Sequence, residues 1–238
     1  MDKVRSKVYI ARVAVLEDER LYALALAAAS PERREKALRF RFPKDRRLSL
    51  GAELLLRKAL RELGIEQREL SYTYGENGKP FLSGLPGLHF NLSHSGDRVI
   101  CAVAGSEAGC DIEQMRDVDL KIARRYFFHD EYERIAAATT EAERCDLFFR
   151  YWTLKESFLK VTGRGLSLPL DAFQIVLPPR GAEGEIAVVQ GVDRRPYRFQ
   201  EFHDIDGSGG SYRCAVCWTD GSSVPAVETV DLARFLTE

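Results

Sequence analysis

The chain has 238 residues, enough for one large domain or two small ones with modest cores. Hydrophobic residues make up 45% and charged residues 30%, a balance that excludes an intrinsically disordered chain. A formal net charge of −1 supplies no global field for nucleic acid or an anionic membrane, so anion binding has to come from a local cluster.

Ser30-Pro31-Glu32 has the form of a helix start, with an N-cap, a proline at the first helical position and then an acid. Pro43 interrupts that segment. A longer helix then fits Lys44 to Leu63, with Leu48, Ala52, Leu55, Leu56, Ala59 and Leu63 on one face and Gly64 as its stop. This stretch is locally basic, with eleven Lys or Arg against four acids between Pro31 and Arg61, which is either a solvated helix face or an anion-binding surface. Strand-like runs follow at Leu70–Tyr74, Leu88–Leu92, Val99–Ala104 and Gly109–Glu113, separated by turns such as Glu76-Asn77-Gly78 and Ser95-Gly96-Asp97. Helical signal returns over Asp130–Ala138 and, more strongly, Glu141–Val161, ending at Gly163. Strand candidates then come at Phe173–Leu177, Glu185–Gln190, Tyr197–His203 and Tyr212–Thr219. A helix followed by several strands, twice over, predicts an α+β fold of two lobes divided near residues 114–120. A cleft between the lobes is the expected place for chemistry.

The longest apolar run, Leu21 to Ala29, is nine residues, well short of the roughly 20 that a spanning helix needs. The N-terminus lacks the form of a signal peptide, because Arg12 breaks its apolar stretch and Glu17-Asp18-Glu19 follow. Five cysteines (Cys101, Cys110, Cys145, Cys214 and Cys217), an odd number without an export signal, predict reduced thiols and a cytoplasmic protein. Cys214-Ala-Val-Cys217 has metal-like spacing, but it sits in a strand-like run without a second pair and reads as core. His89, His94, His129 and His203 show no ligand spacing.

Three motifs carry chemistry. In Gly109-Cys110-Asp111-Ile112-Glu113, the period of a strand sends both carboxylates to one face while Cys110 and Ile112 pack behind. Such a pair is either an exposed strand face or a cation site, since like charges side by side need solvent or a counter-ion. In Trp152-Thr153-Leu154-Lys155-Glu156-Ser157-Phe158-Leu159-Lys160, Glu156 and Lys160 share a helix face, which gives a helical salt bridge or a third carboxylate with a cation beside it. Asn91-Leu92-Ser93-His94-Ser95-Gly96 is either a capped hairpin or an anion-binding tip of hydroxyls, imidazole and backbone N–H. If Glu156 joins Asp111 and Glu113, the three form an all-oxygen site suited to magnesium, with Lys155 and Lys160 supplying charge for a diphosphate.

At this point the chain resembles the 4'-phosphopantetheinyl transferase superfamily, in its surfactin-synthetase-activating (Sfp-type) class. The resemblance runs through Ser30 to Lys36, Gly78-Lys79-Pro80, Asn91 to Gly96, Gly109 to Glu113, Trp152 to Lys160 and Gly165-Leu166-Ser167-Leu168-Pro169-Leu170. It implies two similar α+β lobes, 1–116 and 117–238, each a small, mainly antiparallel sheet with a long helix packed on it. It also implies a monomer that binds coenzyme A in the cleft and uses Mg2+. Asp111, Glu113 and Glu156 match the family's metal-binding carboxylates. Arg33, Lys36, Arg47, Lys79 and His94, with Pro80 and Ser93, match positions around the 3'-phosphate and adenine nucleotide, Arg46 being the other candidate beside Arg47. Lys155 and Lys160 match lysines on the diphosphate and pantetheine phosphate, and Glu131 matches a carboxylate often assigned to activating the serine. Position 33 carries arginine where relatives often have lysine, which makes a bidentate phosphate contact available.

The implied reaction moves 4'-phosphopantetheine from coenzyme A to a serine of an apo acyl or peptidyl carrier protein and releases 3',5'-adenosine diphosphate. Asp111 takes part both as metal ligand and at the diphosphate, and catalysis falls to Glu131, Lys155 and Glu156. Alternative readings are a catalytically idle coenzyme A-binding module and a magnesium-dependent transferase using another nucleotide diphosphate. Against a nucleic-acid partner stand the balanced charge and the lack of interleaved aromatic stacking motifs.

Overall fold

The structure is a computed structural model, and it describes residues 6–65, 70–203, 212–219 and 225–238. The first stretch of chain holds β1 (Lys7–Arg12), α1 (Glu19–Ala28), α2 (Pro31–Arg39), α3 (Pro43–Glu62), β2 (Tyr72–Tyr74), β3 (Pro80–Leu82), β4 (His89–Ser95) and β5 (Arg98–Ala104). The second holds β6 (Ala108–Gln114), α4 (Leu120–Tyr126), α5 (His129–Ala136), α6 (Glu141–Thr162), β7 (Gln174–Val176), β8 (Ala187–Val189), β9 (Arg198–His203) and β10 (Tyr212–Trp218). The chain closes with β11 (Ala226–Thr229) and α7 (Leu232–Thr237).

These elements pack as two compact units. Each is a small sheet with one long helix against it, so the expected α+β class with two lobes holds. The division lies elsewhere than at 116/117: the first unit ends at Gly105 and takes back the last stretch of chain, while β6 belongs to the second. The cause is strand pairing. β6 pairs antiparallel with β10, Asp111 opposite Ala215 and Glu113 opposite Arg213. β11 adds to β1 in parallel, Val8 opposite Val227.

In the first unit the strand order is β11-β1-β5-β4, and α3 packs on β5, β1 and β4. Leu50, Leu54, Leu55, Leu56 and Ala59 of α3 are buried against Tyr9, Ala11, Val99, Cys101 and Val103 of the strands. Burying a side chain of this size contributes about 1.5–3 kcal/mol, so this face holds the helix. The predicted N-terminus of α2 is as expected: the Ser30 hydroxyl accepts from the Arg33 amide at 3.1 Å, with Pro31 at the first position. Pro43 opens α3 instead of merely breaking its predecessor.

In the second unit the sheet order is β6-β10-β9, and β7 and β8 form a separate ribbon. Helix α6 lies on β6 and β10. The Thr140 hydroxyl caps it by accepting from the Glu143 amide at 3.1 Å. Gly163 ends it at φ +68°, a left-handed conformation costly to any residue with a Cβ. Its core neighbours include an aromatic cluster in which Trp152 stacks on Phe148 with ring centroids 5.8 Å apart. Trp152 thus serves the packing of the helix. The predicted Cys214 and Cys217 are both buried on β10.

Candidate active site

The Gly-x-Asp-x-Glu strand works through its glycine. Gly109, Asp111 and Glu113 share the β6 face that meets α6, while Cys110 and Ile112 are fully buried on the other. A Cβ at position 109 would fall inside contact distance of the Ser157 carbonyl oxygen and the Val161 amide. Only glycine lets the helix backbone come this close. That approach brings Glu156 and Lys160, from the turns beside it, to the two strand carboxylates.

Lys160 Nζ donates to Asp111 Oδ1 at 2.6 Å and to the Cys110 carbonyl at 3.1 Å. The i,i+4 spacing had put Lys160 on the Glu156 face, and the structure carries that face to the strand. Burial works against the lysine's charge, but the Asp111 carboxylate, Cys110 and Glu156 outweigh it and raise its pKa. Glu156 is half-buried. Burial raises its pKa, and the charge of Asp111 and, less, of Glu113 adds to this while Lys160 opposes it. Three carboxylates therefore feel one another around a single cation.

The donor set is what magnesium favours: carboxylate oxygens only, crowded enough for a cation to relieve their repulsion. Among the described residues no three His, Cys, Asp or Glu side chains close into a metal cage. The oxygen-only chemistry of the three carboxylates suits a hard cation that takes its remaining ligands from water or phosphate.

Glu131 and Lys155 were expected to face substrate, and the structure encloses both. Lys155 is 0% exposed, and its Nζ lies 2.8 Å from Glu131 Oε2. The same amine donates to the Leu170 and Phe173 carbonyls, each at 2.8 Å. Glu131 accepts from the backbone amides of Ile175 at 2.6 Å and Phe128 at 3.1 Å. Burial raises the Glu131 pKa and lowers that of Lys155. Three acceptors around one nitrogen nevertheless call for three N–H donors, which only the ammonium has, so the pair is ionic. In this arrangement Lys155 has no donor left for a diphosphate.

The remaining predicted residues lie in the first unit. Arg33 donates through Nε to Glu53 at 3.3 Å and reaches the Ser49 hydroxyl at 3.5 Å. Lys36 stands one turn further along α2, its pKa lowered by partial desolvation and by the Arg33 charge. The Tyr74 hydroxyl of β2 donates to Glu32 of α2, and Tyr74 pairs with Pro80 of β3. This places the Lys79-Pro80 corner at the α2 side, its turn held by the Gly75 amide donating to the Lys79 carbonyl at 3.0 Å. Ser93 and His94 lie on β4 opposite Ile100 and Val99, His94 exposed. Arg47 is paired with Glu17 at 3.0 Å, and Arg46 donates to the Phe40 carbonyl at 2.9 Å.

Glu53 is the residue that sequence reasoning missed. It is 0% exposed and accepts from the Ser30 amide at 2.6 Å, the Ser30 hydroxyl at 2.8 Å, the Tyr72 hydroxyl at 3.2 Å and both Arg33 and Arg57 at 3.3 Å. Its one signal is an acid set between Ala52 and Leu54 on an otherwise aliphatic helix face.

The first unit thus carries a basic α2–β3 corner and the second a carboxylate cluster with its own lysine, the residue types with which enzymes handle phosphorylated substrates. The comparisons with known proteins make this specific. Residues 107–217 match the family model of the 4'-phosphopantetheinyl transferase superfamily, and residues 17–106 match that of the 4'-phosphopantetheinyl transferase N-terminal region. A 4'-phosphopantetheinyl transferase of Bacillus subtilis is 37% identical over 81% of this chain and 83% of its own length. The 4'-phosphopantetheinyl transferase Sfp of Bacillus subtilis strain 168 is 36% identical over 79% and 81%. The psf-1 transferase of Bacillus pumilus is 34% identical over 87% and 85%. The chain belongs to the 4'-phosphopantetheinyl transferase superfamily, in its Sfp-type class, and is an enzyme that transfers 4'-phosphopantetheine from coenzyme A to carrier proteins.

Proposed function

We propose that Asp111, Glu113 and Glu156 are the residues that would hold a magnesium ion. The observation that carries this reading is the convergence of the three carboxylates and Lys160 on one side of β6, which Gly109 makes possible. Magnesium, when bound, supplies charge neutralisation and polarisation of phosphate oxygens. Lys160 sits beside Asp111 and offers its ammonium to the phosphate of the transferred arm. Arg33, Lys36, Arg47, Lys79 and His94, with Pro80 and Ser93, bind the 3'-phosphate and adenine nucleotide. The half-buried Arg33, steadied by Glu53, is supported in this role by its fixed guanidinium.

The carrier serine oxygen forms a bond to the pantetheine-side phosphorus as the bond to the bridging diphosphate oxygen breaks. The serine proton is released and 3',5'-adenosine diphosphate leaves. No covalent intermediate with the enzyme is needed, so catalysis comes from placement and charge. The partner is an apo acyl or peptidyl carrier protein and the enzyme acts as a monomer. We place the enzyme in the cytoplasm, where thiols such as those of its five cysteines stay reduced; no helix among the described residues is long and apolar enough to cross a membrane.

Intact mass spectrometry of an apo carrier protein incubated with the enzyme, coenzyme A and magnesium tests the reading. The expected result is a gain of one phosphopantetheine that EDTA abolishes. A gain that survives EDTA, or that Glu156→Ala leaves near normal at saturating magnesium, would sink the metal assignment.

A further inference from the structure

The buried pair of Glu131 and Lys155 joins pieces of chain that otherwise have little in common. Through Glu131 it ties the Phe128 amide at the head of α5 to the Ile175 amide of β7. Through Lys155 it ties the middle of α6 to the carbonyls of Leu170 and Phe173. Both side chains are at most 1% exposed, with every ammonium proton taken. Groups enclosed in this way have no route to a carrier serine.

Their position along α6 gives them another use. Lys155 precedes Glu156 directly and lies five residues before Lys160, so fixing Lys155 fixes the rotation and height of the helix where it carries both. On the β6 side, Gly109 already lets the helix backbone settle at Ser157 and Val161. Two contacts, one on the sheet and one on the loop after the helix, therefore hold the same two turns.

We propose that Glu131 and Lys155 are positioning residues, an internal clamp that holds α6 so that Glu156 and Lys160 meet Asp111 and Glu113. The inference rests on the reading of Asp111, Glu113 and Glu156 as magnesium ligands. Substituting a pair that only positions loosens what it ties and leaves the chemistry at saturating ligand intact, whereas a pair that moves protons or binds phosphate takes the chemistry with it when its charges are lost.

The test uses the full chain with Glu131→Gln and with the double substitution Glu131→Leu/Lys155→Met. Two quantities are read: the magnesium concentration giving half-maximal transfer, and magnesium binding to the coenzyme A-loaded protein by calorimetry. Glu131→Gln is expected to weaken magnesium about tenfold in both, the usual effect of loosening a ligand's support. Turnover at saturating magnesium should stay within about threefold of wild type, because the chemistry is untouched. The double variant deprives the Phe128 and Ile175 amides and the Leu170 and Phe173 carbonyls of these side-chain partners, so it should weaken magnesium at least as far as Glu131→Gln, with turnover at saturating magnesium again within about threefold of wild type. A turnover loss of orders of magnitude at saturating magnesium in both variants overturns the proposal in favour of a chemical role. Unchanged magnesium affinity in Glu131→Gln overturns it in favour of bulk stability alone. A wild-type protein that binds magnesium but transfers nothing sinks the proposed reaction only, and the calorimetric comparison still decides the clamp.

Discussion

Glu62 shows how one side chain links acidity to stability. Lys58 and Lys7, at 2.5 and 2.6 Å, and the Tyr9 hydroxyl, at 2.8 Å, all donate to it. Burial pushes its pKa up, yet these three partners outweigh it and hold the group at about 2 against a reference of 4.5. A depressed carboxyl pKa gives stability that is fully present above 4.5 and lost as pH falls towards 2. The thermal midpoints of wild type and Glu62→Gln should therefore differ most near neutrality and converge across that acid window. A gap that persists at pH 2 would mean that the loss is one of packing. Gly109 makes the second argument at this scale. With backbone on both sides of the missing Cβ, Gly109→Ala should cost about 3 kcal/mol or more, beyond ordinary overpacking, because no rotamer change relieves it. Urea unfolding measures this, and a cost under about 1 kcal/mol would show that α6 can lift without penalty.

Among the elements, α2 and α3 depend on a single buried acid. Glu53 sits between Arg33 and Arg57 and takes the N-cap of α2 as well, so Glu53→Gln leaves two guanidinium groups around a neutral amide. Breaking a buried charge set of this kind is expected to cost about 3 kcal/mol, read as a lowered denaturant midpoint with an unchanged slope. A variant as stable as wild type would show that solvent reaches the cluster. This hub was not legible in the sequence, because nothing in the spacing of Ser30, Arg33, Glu53, Arg57 and Tyr72 marks them as neighbours. The long helices were legible, since α3 has an apolar face and α6 has a cap and a glycine stop at its ends. So were the middle strands, bounded by glycine turns. β1 was missed because Val8, Tyr9, Ile10 and Ala11 are all buried, leaving no alternation to read. The apolar stretch Leu21–Ala29 was set aside as too short for a membrane, and it belongs largely to α1, capped by Asp18. At the site, the strand period put Asp111 and Glu113 on one face of β6 and the helix period put Glu156 and Lys160 on one face of α6. Periodicity says nothing about depth, and depth separates Lys160, which is partly exposed, from Lys155, which is sealed.

For the whole molecule, the order of the chain does not follow the order of packing. β11, which like α7 received no assignment from the sequence, completes a sheet begun at Lys7. Parallel pairing across so long a separation has no local signature. Val230 and Leu232 are buried in the core of the first unit, and the Val230 amide donates to the Ile10 carbonyl at 2.8 Å. Removing residues 225–238 should thus destabilise the first unit and leave the secondary structure of the second intact. Hydrogen exchange of the truncated protein measures this: faster exchange in β1 and β5 with β6 and β10 still protected is the expected pattern, and uniform loss throughout would refute it.

The late return of β11 also matters while the protein is being made. The segment through β10 leaves the ribosome as one uninterrupted stretch and has all its strand partners within itself. The first unit, begun earlier, waits for the last residues, and at ordinary elongation rates that delay is on the order of ten seconds. Throughout it β1 presents an open edge of backbone amides and carbonyls, the kind of surface that recruits a strand from another chain. A nascent chain of this enzyme is therefore expected to be open to strand addition at β1 until β11 arrives to cover it.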